Sequence, residues 1–325
     1  MSVHRRPMAF GRKPGPLGAC ANPFQHLISE PYLLPRTPRI LGLLVSGLTA
    51  HYVTRAAPAP RPRPPFEDSR LIYEPEPVSG WTWELQMKDF SLEKLITSAP
   101  VIDDVRQGHT GNCPLIATLA ALAHAHPNKV QRMVARRNAE VSARVINTNQ
   151  TRHEYYKLHY WSPFLFEVVF AAGIPIFVSG YLWHRGGVLE YGRAQRGDLW
   201  PSILEKAYVV EHGGESYDKI FGSLIPFEVM NTVLGPSSDM TARGASEAAL
   251  EKILKKASNK PTIAATLENL PPRARVPNGI IGFHTYAVRG MKGQTVQVYN
   301  PLDGQTIDIS LAKFQRVFET VVQAN

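Results

Sequence analysis

Cysteine is nearly missing from this chain: two in 325 residues, Cys20 and Cys113, in regions of very different composition. So few thiols exclude a disulfide framework, and no paired Cys/His spacing of the zinc-binding kind occurs. A lone thiol also fits a reducing place of action. Long apolar runs are missing as well. Residues 40–53 are apolar but fall short of the ~20 residues that span a bilayer, and they sit too far in for a secretory signal peptide. Acidic residues are scarce in one place only. Residues 1–65 carry nine Lys and Arg against the single acid Glu30, so +8 of the formal +9 belongs to this stretch. The excess charge is therefore a property of a tail and not of a nucleic-acid-binding face. No RNA- or DNA-binding motif appears either, so nucleic acid is excluded as a partner.

What the tail does have is proline, twelve of the chain's 27, and residues 57–65 form a stiff polyproline-like linker. We therefore place a boundary at 65, between a basic Pro-rich tail (1–65) and a globular unit (66–325). With 44% hydrophobic and 19% charged residues overall, the chain is ordinary for a globular protein and long enough for one large domain or two lobes. The tail's composition fits an address segment, either an organelle transit peptide or the leader of a secreted effector. It equally fits a disordered tail with a short helix, and any membrane association belongs to it and is weak.

The globular unit is marked by residues 107–114, Gln-Gly-His-Thr-Gly-Asn-Cys-Pro, which run straight into an Ala- and Leu-rich stretch. Pro114 suits the first turn of a helix, where its missing N–H is not needed. Leu115, Leu119 and Leu122 have the spacing of a buried helix. Cys113 then stands at the positive end of the helix dipole, which is expected to lower its pKa. A small buried Cys beside a helix cap is the plainer reading, and these residues alone do not separate the two.

Residues further on do. His284 opens an alternating, strand-like run, and residues 294–301 read as the next strand, with 290–293 as the turn between them. His284 and Asn300 are thus candidates for neighbouring antiparallel strands. A thiol nucleophile needs a base, and the base needs a third group to fix its tautomer. His124 and His126 are two apart, share no helix face, and are expected at an exposed helix end.

These segments together resemble the protease core of the calpain family of papain-like cysteine peptidases. Gln107-Gly108 to Gly111-Asn112-Cys113-Pro114 is similar to the family's nucleophile motif, Phe283-His284-Thr285-Tyr286 to its His strand, and Tyr299-Asn300-Pro301-Leu302 to its Asn turn. Residues 198–208, Asp-Leu-Trp-Pro-Ser-Ile-Leu-Glu-Lys-Ala-Tyr, resemble its Leu-Glu-Lys-Ala-Tyr helix. The resemblance implies an α+β, papain-like cysteine protease fold: an α-rich lobe whose central helix starts at Cys113, then a mainly antiparallel β lobe, with the site between them. It implies a Cys113–His284–Asn300 triad. It also makes the side-chain amide of Gln107 an oxyanion donor beside the Cys113 N–H; read alone, Gln107 is a loop residue bonded to its own backbone. Asn112, Pro114 and Leu302 depart from the family pattern. Asn112 removes an acid beside the thiol, and Leu302 removes an aromatic that would shield His284 from water. Asp104 and Asp198 match acidic positions of the family's first calcium site. With only two carboxylates there, and only Asp303 and Asp308 after Asn300, we expect no cofactor and no calcium requirement.

We therefore expect a monomeric cysteine endopeptidase acting on protein substrates. The chain looks like a bare catalytic core, which favours a secreted effector delivered to a target-cell cytoplasm. A Cys-dependent deamidase or transglutaminase-type acyltransferase, or a non-catalytic interaction module, are the alternatives. Helices are expected at 200–211, 245–257 and 311–322, and a strand at 262–266.

Overall fold

Ten of the thirteen residues of helix α1 (Cys113–Ala125) are buried. A helix apolar all round must be enclosed on every side, and the rest of the fold is arranged to enclose it. The computed structural model describes residues 71–79, 85–138, 144–147, 164–212, 216–270 and 279–325. The tail, with residues 40–53 and Cys20, and the Gly213-Gly214 loop lie outside the described residues.

In the first half, strands β1 (Leu71–Glu74), β2 (Gln86–Asp89) and β3 (Val105–Arg106) precede α1 and the short α2 (Pro127–Met133). Then follow β4 (Val134–Asn138), β5 (Arg144–Asn147), β6 (Phe164–Val169), β7 (Pro175–Ser179), β8 (Tyr181–Arg185), β9 (Val188–Leu189) and β10 (Arg193–Ala194). These form small sheets, β4-β6-β7 and β2-β8-β9 among them, around α1 and α3 (Trp200–Glu211). The region before residue 145 is thus less helical than expected, because β4 leaves α2 to pair with β6. Helix α4 (Pro226–Leu234) closes this lobe.

The second half is one antiparallel sheet of six strands, in the order β11-β16-β12-β13-β14-β15. The strands are β11 (Ser237–Thr241), β12 (Thr262–Thr266), β13 (Thr285–Lys292), β14 (Thr295–Tyr299), β15 (Thr306–Ser310) and β16 (Phe318–Ala324), with α5 (Glu247–Leu254) and α6 (Leu311–Val317) between them. Side chains alternate across a strand, and here both faces are used. Ile263, Ala287 and Tyr299 join the core built around α1, while Ala264, Tyr286, Val288 and Val298 join a second core with Leu250, Leu254 and Phe314. The sheet is therefore shared between the lobes, and α1 lies directly on β12 and β13. The papain-like α+β architecture is as expected. Three boundaries differ. The helix expected at 245–257 runs only over Glu247–Leu254, with the Ser246 hydroxyl accepting the Ala249 N–H at its start. Residues 311–322 are a helix only to Val317 and then a strand, and the turn after β13 falls at Gly293, with Gly290 inside the strand at a register shift. Among the described residues no helix is long and apolar enough to cross a membrane.

Candidate active site

The loop before α1 is pinned from several sides. Gly108 lies so close to the segment linking β9 to β10 that a Cβ there would collide with the Glu190 carbonyl oxygen, which only glycine avoids. Next to it, the His109 N–H donates to that same oxygen. On the other side, the Gln107 N–H donates to the Pro301 carbonyl at 2.8 Å, and the Tyr299 hydroxyl donates to the Val105 carbonyl at 2.6 Å. The loop carrying Cys113 is thereby tied to the turn carrying Asn300.

Cys113 is the first residue of α1, followed by Pro114, and is partly exposed. Its backbone N–H has no backbone acceptor among the described residues, as expected of a first-turn amide. The thiol lies against Thr285, whose backbone and side chain both hydrogen-bond it. Burial nevertheless pushes the thiol above its ordinary pKa. Burial against β13 thus works against the lowering expected from the helix end.

His284 and Asn300 flank their strands instead of lying within them: His284 precedes β13 and Asn300 follows β14. They meet as expected, His284 Nε2 to Asn300 Oδ1 at 2.8 Å. The same Oδ1 accepts the Leu302 N–H at 3.0 Å. A backbone N–H can only donate, so the oxygen assignment of the Asn300 amide is fixed, and His284 Nε2 must carry its hydrogen. Nδ1 is then left with the lone pair. The Asn300 turn is itself held by the Gly304 N–H on the Asn300 carbonyl, with Gly304 at φ +77°. Leu302 is half exposed, but His284 is only 6% exposed, with the Tyr286 ring edge-on at 4.9 Å. Losing the aromatic at 302 therefore does not open His284 to water. Burial lowers the imidazole pKa to about 4, against the Asn300 hydrogen bond and the Asp303 charge, which raise it.

Two residues of the site escaped the sequence reading. Thr266, at the end of β12, accepts the His284 N–H on its hydroxyl at 3.0 Å, and its own N–H donates to the His284 carbonyl at 2.9 Å. The hydroxyl reaches the Ile281 carbonyl at 2.9 Å. This clamp holds Phe283 at φ +53°, a value a bulky residue rarely adopts. The second is Glu205 on α3, fully buried beneath the loop. It accepts from Asn112 Nδ2 and, at 2.7 Å, from the Gly192 N–H. Its sequence signals are a charge beside Lys206 inside the otherwise apolar run 199–209 and its place in the Leu-Glu-Lys-Ala-Tyr segment, neither of which points to the nucleophile loop.

Gln107 is 6% exposed, and its Nε2 donates to the Thr110 carbonyl at 2.6 Å. That bond uses one of its two N–H groups and is the local contact expected when the residue is read alone; the second N–H remains. His124, by contrast, is no free helix end: its Nε2 meets the Arg289 carbonyl at 2.8 Å. A cavity of about 600 Å3 runs alongside, lined by Arg106, Leu189, Arg193, Gln195, Leu302 and Asp303 among others. It offers a groove next to the Asn300 turn. Asp104 and Asp198 are both buried, and protein donors already hold them: the Arg196 N–H at Asp104 Oδ1 (2.7 Å), and the Thr97 N–H (3.2 Å) and hydroxyl (2.7 Å) at Asp198. No group of three or more His, Cys, Asp or Glu able to hold a metal exists among the described residues.

The arrangement has a thiol at a helix start, an oriented buried imidazole and two candidate amide donors. Residues 62–307 match the family described as calpain family cysteine protease. Among curated proteins, human Calpain-9 is 25% identical over 254 residues, covering 73% of this chain and 34% of its own length. Rat Calpain-9 is 26% identical over 236 residues, covering 70% and 31%. The chain thus spans about a third of the length of these relatives. It belongs, by the extent of the family match, to the calpain family of cysteine proteases.

Proposed function

We propose that the chain is an endopeptidase that cuts protein substrates through Cys113, His284 and Asn300 by way of a thioester. The observation that supports this reading is the doubly held Asn300 Oδ1, which makes His284 Nε2 the protonated nitrogen and leaves Nδ1 as the base. In the first half-reaction Nδ1 takes the Cys113 proton, and sulfur bonds to the carbonyl carbon of the scissile peptide. The carbonyl oxygen gains the negative charge, which the Cys113 N–H and the remaining Gln107 Nε2 hydrogen would hold. Loss of one such donor costs about a hundred- to thousandfold in rate. The imidazolium then gives its proton to the leaving amine as the C–N bond breaks. Water, deprotonated by the same nitrogen, hydrolyses the thioester and returns the thiol.

Residues 1–65 enter the proposal as an address. Their Arg- and Pro-rich composition fits an address segment, and the destination proposed for it is delivery of a monomeric protease as a secreted effector into a target-cell cytoplasm.

The test is covalent labelling by peptide warheads together with mapping of new N-termini in a treated lysate. Cys113→Ala should abolish both, and His284→Ala should lose nearly as much, since members of one catalytic unit are strongly non-additive. Asn300→Ala should be milder. Labelling that survives in Cys113→Ala refutes the assignment. A substrate mass change without a new N-terminus would move the reading to a deamidase or acyltransferase.

A further inference from the structure

Of the two carboxylates that would serve a calcium ion, Asp104 faces a side chain that already carries positive charge, while Asp198 is held by Thr97. Arg196, in the loop between β10 and α3, donates from Nη1 to Ser98 Oγ at 2.8 Å and from Nη2 to the Ala99 carbonyl at 3.3 Å. Its Nε faces Asp104 Oδ2 at 3.3 Å, and its backbone N–H donates to Asp104 Oδ1. Next to it, the Gln195 N–H donates to the Asp104 carbonyl at 2.7 Å. Asp198 closes the same loop onto Thr97 with both carboxylate oxygens. Calcium takes six to eight oxygen ligands. Here one buried acceptor, Asp104 Oδ2, has no hydrogen bond, and it is the atom that faces the guanidinium. The donor set does not fit the ion.

We propose that Arg196 is the built-in cation of this site, and that it aligns the nucleophile loop without a divalent metal. A guanidinium offers a planar fork of donors that one point charge cannot reproduce. It gathers residues 98–99 and Asp104 onto the 195–198 loop at one place. The effect reaches the active site through a short path. Asp104 leads directly into β3, where Val105 and Arg106 pair with Ala194 and Arg193, and Gln107 follows at once. Arg196 is a positioning residue, and this role rests on the peptidase reading above.

The experiment uses the full chain and two independent readouts, calcium binding with thermal melting, and the rate of Cys113 labelling. The wild type should show no binding heat with millimolar calcium, and equal melting and labelling in calcium and in chelator. Arg196→Ala should keep its far-UV circular dichroism yet label about tenfold or more slowly in chelator, because small misplacements at an active site are costly. Added methylguanidinium should restore part of that rate, and calcium should not. Arg196→Gln, which keeps a hydrogen-bonding side chain without the charge, serves if the alanine variant does not fold, and should be slow in the same way. Calcium that binds the wild type or accelerates it overturns the proposal. So does an Arg196→Ala protein that labels at the wild-type rate, or one that is slow and does not recover with methylguanidinium. A wild type that never labels at Cys113 refutes the peptidase reading instead, and the calcium and melting measurements still decide the role of Arg196.

Discussion

Replacing Glu205 by Gln should change the way stability depends on pH, and the size of the change follows from where the carboxyl sits. It is fully buried on α3, and burial raises its pKa from 4.5 to about 7. The hydrogen bonds from Asn112 and the Gly192 N–H, and the charge of Arg193, pull the other way. A folded-state pKa above the unfolded one means that the native protein binds more protons between those values. The stability this group contributes is complete below pH 4.5 and is lost as pH rises through 7. Converted at the usual rate per pKa unit, the loss is about 3 kcal/mol. Gln cannot titrate, so it lacks this slope. It also turns an NH2 toward either Asn112 Nδ2 or the Gly192 N–H, a mismatch of about 1–3 kcal/mol that is the same at every pH. The offset is therefore not diagnostic, and the slope is. Urea unfolding at a series of pH values should show wild type losing about 3 kcal/mol relative to Glu205→Gln between pH 4.5 and mildly alkaline pH. His284 contributes the opposite sign: its folded pKa, about 4, lies below 6.5, so its contribution is lost as pH falls through that window. It is present in both proteins and cancels in the difference. Curves for the two proteins that stay parallel would mean that Glu205 ionises as an exposed carboxylate does, and the account of the loop's support would fail.

Thr266→Val keeps the shape but removes the hydroxyl that accepts the His284 N–H. It should lower stability by about 1–3 kcal/mol and slow Cys113 labelling, with Thr266→Ser close to wild type; a valine variant that melts and labels like wild type refutes the clamp. Deleting residues 1–65 should leave the melting temperature and labelling rate unchanged. A faster truncated protein would make the tail an inhibitory block, and one that fails to fold would move the domain boundary upstream.

What could be read from the residues alone was local. Trp200–Glu211 and Thr262–Thr266 carry their own periodicity and end signals, and their bounds are as expected. So is the start of α1, set by the glycine loop and Pro114. The errors lie where distant partners decide. Phe318–Ala324 continues a helix-like pattern, but its β-branched residues fill the gap between β11 and β12, and pairing on both sides outweighs local preference. Val134–Asn138 is drawn out of the helical region by β6 in the same way. Thr266 gave no signal, since a Thr at a strand end is ordinary until the chain brings His284 to it.

The site's charge state was the least legible part, because it depends on burial contributed by every neighbouring element. A helix N-terminus and a nearby imidazole suggest a stored thiolate–imidazolium pair. Here burial acts on both groups against charge: the Cys113 thiol is pushed up and the His284 imidazole is pushed down to about 4. Among the described residues the hydrogen bonds of the site join His284 to Asn300 and the thiol to Thr285, with none directly between thiol and imidazole. Burial thus favours the neutral form of each group. On the proposed mechanism, proton transfer would then accompany the attack itself, when a bound carbonyl receives the sulfur's electrons and the oxyanion donors receive the charge. Such hydrogen bonds characteristically tighten only in the reacting complex. The Thr266 clamp and the Asn300 turn matter for that reason. They hold the imidazole in one orientation and one tautomer before any charge is present to do so.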